Sequence, residues 1–475
     1  MTADVATLAG SPTTLSDEAL EELEAQLRGS ASANGDGAGR EVFNAMHNPQ
    51  PGLTVRASGT ADVADAVNFA RQQGLVMAIR GGGHSLAGLS TIDGGMLLDL
   101  SAMRSVQVDP ERRLAHVQGG ALWADVDRET QAFGLAAPGG VVSDTGVAGL
   151  TLGGGYGWLR RKYGLSIDCL VQAQVVCADG EIRTASEDSN PDLFWAIRGG
   201  GGNFGVVTSF TFQLHPVGPE VAFSATFYPI EEYAAILRGW RPYVEEAPNE
   251  VTSVCVSLTF PANPEMPEAV HDRPCTIVGG VYAGEVGEGM EVTKPLRELG
   301  TPLFDMSGPT PYVGVQAGFD PLFPRNTLNA YWKSQYLDEL SDGAIEAITS
   351  NAADRPAPLT LVNTFAMGGA IADVDPEDTA FATREAPYMV SIDGMWTDEV
   401  SDEDGIAWVR SAWEDVKEHG TGDVYLNFTG LGEDEAPSAG VDTAFGRNLQ
   451  RLAEVKAEYD PTNFFRVNNN IEPAS

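Results

Sequence analysis

The sequence predicts an α+β protein with two domains on one chain, and three features predict it. From about Pro51 to Val217, apolar residues switch repeatedly between helical and strand spacing. Past Pro216-Val217-Gly218-Pro219 the pattern becomes alternating strands separated by helical stretches, as in a mainly antiparallel sheet covered by helices. At 475 residues and 43% hydrophobic, the chain can also fill more than one core.

Residues 1–40 form a peripheral segment of one helix and a flexible linker. Ser16 caps the helix, Asp17 to Leu27, whose first turn is acidic, and GSASANGDGAG is the linker. In residues 41–217, Val63, Ala66, Val67 and Ala70 share one helical face, and Gly74 stops that helix. Leu75 to Ile79 is a short buried strand running into RGGGHS, followed by strands at MLLDL and LAHVQ and a helix from Leu122 to Phe133. VQAQVVCADGEIRTA is a hairpin turning at Asp179-Gly180. Asn190-Pro191 opens the next helix, since proline's fixed φ suits a first turn, and GVVTSFTFQL returns as a strand. Residues 218–430 carry the strands VTSVCVSLTF, CTIVGGVYAG, LTLVNTF and YMVSIDGMW. Residues 431–475 hold a last helix, an Asp460-Pro461 stop and an irregular tail that returns to the first domain.

Charge excludes several functions. The formal net charge is −38, dispersed along the chain rather than gathered in a tail. Without a basic face to displace counterions, a nucleic-acid partner is not expected. Lysine is confined to Lys162, Lys294, Lys333, Lys417 and Lys456. Dispersed acidity of this kind matches a halophilic, haloarchaeal-style surface, because molar salt screens self-repulsion. No apolar run is long enough to span a membrane, and the N-terminal stretch lacks the basic and apolar regions of an export signal, so a cytoplasmic location is expected. Cys169, Cys177, Cys255 and Cys275 have no CxxC spacing or neighbouring histidines, so neither a metal site nor thiol redox chemistry is expected.

Three glycine-rich loops stand out: Arg80 to Ser85, Thr145 to Gly157 and Arg198 to Gly205. Loops without side chains let backbone N–H groups converge on phosphate, and three together point to one large anionic cofactor. Gly200, Gly202 and Gly205 spell GxGxxG, but a helix precedes them and a strand follows. A nicotinamide-binding fingerprint needs the reverse order, so that reading is rejected. His84, placed after three glycines at the end of a buried strand, has no packing role. Metal ligation lacks partners, which leaves a bond to a loop carbonyl or covalent attachment of a cofactor. His47, His116, His215, His271 and His419 are isolated and read as structural or surface groups.

The segments IRGGGHSLAG, PGGVVSDTGVAGLTLGGGYGWLRRKYG, DLFWAIRGGGGNFGVVTSFTF and YDPTNFFRVNNNI resemble the berberine bridge enzyme-like FAD-linked oxidases, within the vanillyl-alcohol oxidase or PCMH-type flavoprotein superfamily. The resemblance implies an FAD-binding domain of two α+β subdomains over residues 41–217 and a substrate domain over residues 218–430. It implies covalent attachment of FAD through its 8α-methyl carbon to His84. Arg80, Gly81, Gly82, Gly83 and Ser85 then hold the pyrophosphate. Thr145, Gly146, Gly149, Gly153, Gly155, Val206 and Asn468 fall where relatives line the flavin. The implied reaction is removal of hydride from a CH–OH donor such as an alcohol or sugar, less readily a CH–NH donor.

Three departures from the family pattern bear on chemistry. Val142 stands where doubly tethered relatives carry a cysteine, so a single bond through His84 is implied. Thr145 occupies a position that affects oxygen access in relatives and matches neither usual residue there, leaving O2 and another electron acceptor both open. The family's Tyr-x-Asn-Tyr strand is here Tyr425-Leu426-Asn427-Phe428. Tyr425, with Asn427, is the candidate base, although a phenol with a reference pKa near 10 needs a cation or hydrogen-bond donors to act near neutrality. Arg384 takes a structural or orienting role. Loss of the second tyrosine, at Phe428, leaves an alternative: a flavin-binding protein with a degenerate substrate site.

Overall fold

Leu53–Arg56 and Met77–Arg80 both pair in parallel with Met96–Asp99, the arrangement a strand–helix–strand crossover produces. The crossing helix, Thr60–Gln73, buries Val63, Ala66, Val67 and Ala70, and Gly74 closes it at φ 65°. The computed structural model describes residues 3–33, 41–262, 264 and 266–475.

Ser16 caps Asp17–Gln26 as expected, its hydroxyl accepting from the Ala19 amide at 3.2 Å. The segment around that helix is more ordered than its composition suggests. Ala3–Ala6 and Pro12–Leu15 form a hairpin, and Ser30–Ala33, expected to be linker, adds antiparallel to Leu53–Arg56 as an edge strand. Asp62 holds it there, accepting from the Arg28 and Gly29 amides at 3.0 and 2.9 Å, and small Ser and Ala side chains fit the ladder. The rest of the expected linker, residues 34–39, lies outside the described residues.

A second, five-stranded antiparallel sheet runs Ile182–Ala185, Leu170–Val176, Val206–Gln213, Leu114–Gln118, Val106–Asp109. The expected hairpin is its edge, with Gly180 at φ 84° in the turn. Pro191–Ile197 precedes the third glycine loop and Val206–Gln213 follows it, the order opposite to a nicotinamide fingerprint.

The third sheet has eight strands, and its period-two alternation sorts its side chains onto two faces. On Val251–Thr259, Leu361–Ala366, Tyr388–Trp396 and Asn329–Leu337, one set of side chains joins a core with Tyr156, Trp158 and Tyr425. The other set, including Cys255, Val362, Val390 and Tyr331, is covered by Tyr233–Glu246, Asp342–Ala353 and Asp402–Lys417. The C-terminal helix, Leu449–Tyr459, and the tail after it lie against the third glycine loop. There the buried Lys456 Nζ donates to Asp460 at 2.8 Å, the Asn203 carbonyl at 2.7 Å and the Phe465 carbonyl at 2.8 Å.

Candidate active site

All three glycine loops open on one cavity. Its wall includes Gly81, Gly82, Gly83, His84 and Ser85 from the first, Thr145, Gly146, Gly149 and Gly153 from the second, and Gly201, Gly202 and Gly205 from the third. Val206, Asn468, Tyr425 and Asn427 complete the set brought together. Two expected cofactor residues lie outside the wall. Arg80 turns away, its guanidinium donating to the Glu41 carbonyl at 2.7 Å, because it sits on the strand and not on the glycine turn. Gly155 lies behind, and its amide donates to the Tyr425 hydroxyl at 3.1 Å.

The glycines are required by contact. A Cβ on Gly82 falls 2.3 Å from the Gly146 Cα, so the first two loops touch backbone to backbone. Gly149 and Gly202, in contrast, face open space within 4 Å, leaving their backbones accessible to a ligand. The Asn468 amide donates to the Gly202 and Phe465 carbonyls, but its buried Oδ1 has no partner. A backbone-lined trough with an orphaned polar atom suits a long anionic cofactor.

His84 is held from both sides. Its ring stacks on Phe43 with centroids 4.3 Å apart, and Nε2 hydrogen-bonds Asp144 Oδ1 at 2.8 Å. Arg325, from the loop before Asn329–Leu337, donates through Nε to Asp144 at 2.5 Å and to the Gly82 and Asp144 carbonyls at 2.7 and 2.6 Å. Burial pushes the Asp144 carboxyl up, but the bond from His84 and the charges of His84 and Arg325 bring it below its ordinary value. An ionised carboxylate only accepts, so Nε2 is the donor to Asp144, and Nδ1 is the ring nitrogen outside that bond.

Tyr425 and Asn427 are not on a strand, as the motif suggested. Leu426–Phe428 is a tight helical turn, closed by the Phe428 amide on the Tyr425 carbonyl at 2.9 Å. The Ser334 hydroxyl takes the Tyr425 amide at 2.9 Å in place of a ladder partner. The Tyr425 hydroxyl accepts from Asn427 at 2.8 Å as well as from Gly155. Burial pushes its pKa to about 12, with those two donors pulling the other way, so the phenol keeps a proton to donate.

The cavity wall formed by the large sheet contains an acid the motifs did not reveal. Asp393 is 2% exposed and accepts from Asn363 Nδ2 at 2.6 Å and from the Ser391 hydroxyl. Burial raises its carboxyl to about 7, against the opposing pull of Ser391 and Asn363. Its signal was available: Asp393 is the one charged residue in the apolar strand YMVSIDGMW. Arg384, 1% exposed, pairs with Asp168 at 2.8 Å away from this wall, in a structural position.

Residues 51–186 match the family model described as an FAD binding domain, and residues 424–472 match the one described as berberine and berberine like. The FAD-linked oxidoreductase YgaK of Bacillus subtilis, itself uncharacterized, is 32% identical over 432 residues, covering 89% of this chain and 91% of that one. The chain belongs to the berberine bridge enzyme-like FAD-linked oxidoreductases. (R)-6-hydroxynicotine oxidase of Paenarthrobacter nicotinovorans is 29% identical to this oxidoreductase over 456 residues, covering 91% and 93% of the two chains. The crystal structure of 6-hydroxy-D-nicotine oxidase from Arthrobacter nicotinovorans superposes with a TM-score of 0.83 at 27% identity, covering 94% of this chain and 98% of that one. The α+β, PCMH-type fold expected from the resemblance is therefore the fold of this oxidoreductase.

Proposed function

We propose that this FAD-linked oxidoreductase carries its flavin on His84 alone and oxidises a small molecule at a carbon bearing a hydroxyl. The supporting observation is the single cavity that joins His84 and three glycine loops to the inward face of the large sheet. The backbone of Gly81 to Ser85, with Gly146, Gly149 and Gly202, would hold the phosphates, and Thr145, Gly153, Val206 and Asn468 would flank the cofactor. His84 offers Nδ1 as the attachment atom because Asp144 occupies Nε2. Among the described residues no cysteine lines the cavity, and Val142 does, which supports one bond. When bound, FAD supplies the two-electron acceptor, and O2 or another carrier takes the electrons onward.

The protein's own groups orient the donor and exclude water. Tyr425, fixed by Asn427 and Gly155, presents an O–H to the cavity. The aromatic wall of Tyr156, Trp332, Phe365 and Phe428 keeps solvent out. The dispersed charge of −38 supports a salt-rich cytoplasm as the working compartment. Among the described residues no helix is long and apolar enough to cross a membrane.

In-gel flavin fluorescence after denaturation tests the tether: wild type fluoresces and His84→Ala does not. Flavin released quantitatively by acid precipitation defeats the tether. Anaerobic mixing with a panel of alcohols and sugars tests the reaction through bleaching of the oxidised flavin band. If dithionite bleaches the band and no donor does, the chain is a flavin-binding protein with a degenerate substrate site, the alternative that Phe428 raises.

A further inference from the structure

The inward positions of the large sheet carry mostly carbon. Val254, Val256, Leu361, Phe365 and Trp332 line the cavity from three strands, together with Tyr156, Trp158, Phe319, Phe323 and Phe428. On this sheet only Asn363 and Asp393 bring a polar side chain to the wall. Asn363 spends its amide on Asp393, and its Oδ1, in a residue 4% exposed, has no partner. The indole N–H groups of Trp158 and Trp332 are likewise buried without partners. Carbon predominates on this wall, and a sugar stripped of water needs a partner for each of several hydroxyls, so the surface favours a ligand with few of them.

Resting on the oxidoreductase reading above, we propose that the donor is an aromatic or otherwise apolar alcohol with one hydroxyl, which Asp393 anchors and deprotonates. The O–H proton would pass to the Asp393 carboxylate, and bound FAD would supply the acceptor for the hydrogen and electron pair of the adjacent C–H bond, so that the carbon–oxygen bond becomes a carbonyl. Asn363 and Ser391 aim the carboxylate by holding one oxygen each. Tyr425, protonated, donates to the same substrate oxygen from across the cavity.

Ionisable groups on the elements packed around Asp393 do not compete with it. Burial holds the phenols of Tyr156, Tyr336 and Tyr425 protonated. Arg160 is fixed on the Ala366, Gly157 and Ser253 carbonyls at 2.9, 3.0 and 2.9 Å. Leu361, Trp332 and Phe365 on the flanking strands carry no charge.

The experiment uses flavin-loaded protein with two ligand series: phenol and benzylic alcohols, and glucose with its disaccharides. Phenol has no oxidisable carbon and reports binding alone, through tryptophan quenching and perturbation of the flavin spectrum. Aryl ligands are expected to half-saturate at concentrations about tenfold or more below the sugars. Benzylic alcohols are expected to bleach the flavin with a rate that rises with pH through about 7. Asp393→Asn should cut that rate by about 10²-fold or more and flatten the rise, with phenol bound more weakly and flavin content unchanged. Tighter binding or faster bleaching by a sugar overturns the substrate class. A wild-type rate and pH profile in Asp393→Asn overturns the proton role. Phenol binding without bleaching by any alcohol or sugar sinks the oxidoreductase reading and Asp393's part in it, while the apolar preference then stands on the binding series.

Discussion

His84 Nε2 lies 2.8 Å from Asp144 Oδ1, and the residue that steadies Asp144, Arg325, comes from the loop before Asn329–Leu337. On the proposed tether, the pair fixes which imidazole nitrogen would meet the flavin, so attachment would depend on a contact between segments far apart in the chain. Asp144→Ala is therefore expected to lose most of the in-gel flavin fluorescence while still binding added FAD. Arg325→Met should show a smaller loss. Full fluorescence in Asp144→Ala would show that the carboxylate is dispensable.

The glycines separate cradle from fold. Gly82→Ala drives a methyl against Gly146 and should lower Tm as well as flavin content, at a cost of about 1–3 kcal/mol. Gly149, inside the Val147–Leu152 helix, faces open space. Gly149→Ala should raise the stability of flavin-free protein by about 0.5–1 kcal/mol yet lower the flavin-to-protein ratio. Thermal melts beside absorbance ratios check both, and a Gly149→Ala protein with full flavin content would place the cofactor elsewhere.

Tyr425→Phe removes the hydroxyl that Gly155 and Asn427 point toward. Flavin reduction should slow, but its pH dependence below about 9 should stay as in wild type, because the phenol titrates near 12. Loss of a pH limb in this variant, measured by stopped-flow absorbance, would return the base role to Tyr425.

Asp127, 2% exposed, meets the Gln316 amide at 3.1 Å where the Trp123–Gln131 helix faces Tyr312–Gln316. Burial raises its carboxyl to about 7, with Gln316 lowering it and Asp320 adding to the rise. The folded state thus holds a proton that the unfolded chain releases near its ordinary value of 3.8, so stability falls as pH climbs from about 4 to 7. Asp127→Asn should come closest to wild type near pH 4 and melt higher at pH 8. Equal melting curves at both pH values would remove Asp127 from the pH dependence.

Net charge makes salt the largest external lever on stability. With −38 on the chain, Tm should rise steadily from dilute buffer to molar KCl as the Debye length shrinks to about 3 Å. Circular dichroism melts across that series test it, and a flat response would remove the halophilic reading.

Local features were legible without coordinates. Ser16 caps its helix, Gly74 ends the next, and Asp179-Gly180 turns the hairpin because each depends on neighbours within a few residues. The glycine run before His84 and the one at Gly153 to Gly155 signalled a backbone-built cradle for the same reason. Other features misled. Ser30–Ala33 looked like linker and became an edge strand because Asp62 holds the chain entering it. The Tyr425 motif looked like a strand and became a turn because the Ser334 hydroxyl replaced a ladder partner.

By itself, then, the sequence determined the α+β class, the glycine loops and His84, all consequences of short-range conformational preference and of residues that only a close backbone approach requires. Tertiary structure alone decided that Arg80 points away and that Arg325 meets Asp144 across 181 residues. It alone set Asp393 against Asn363 on one apolar wall. Those relationships follow from strand register and from packing between segments far apart in the chain, and a one-residue slip in register would turn Asp393 to the helix-covered face.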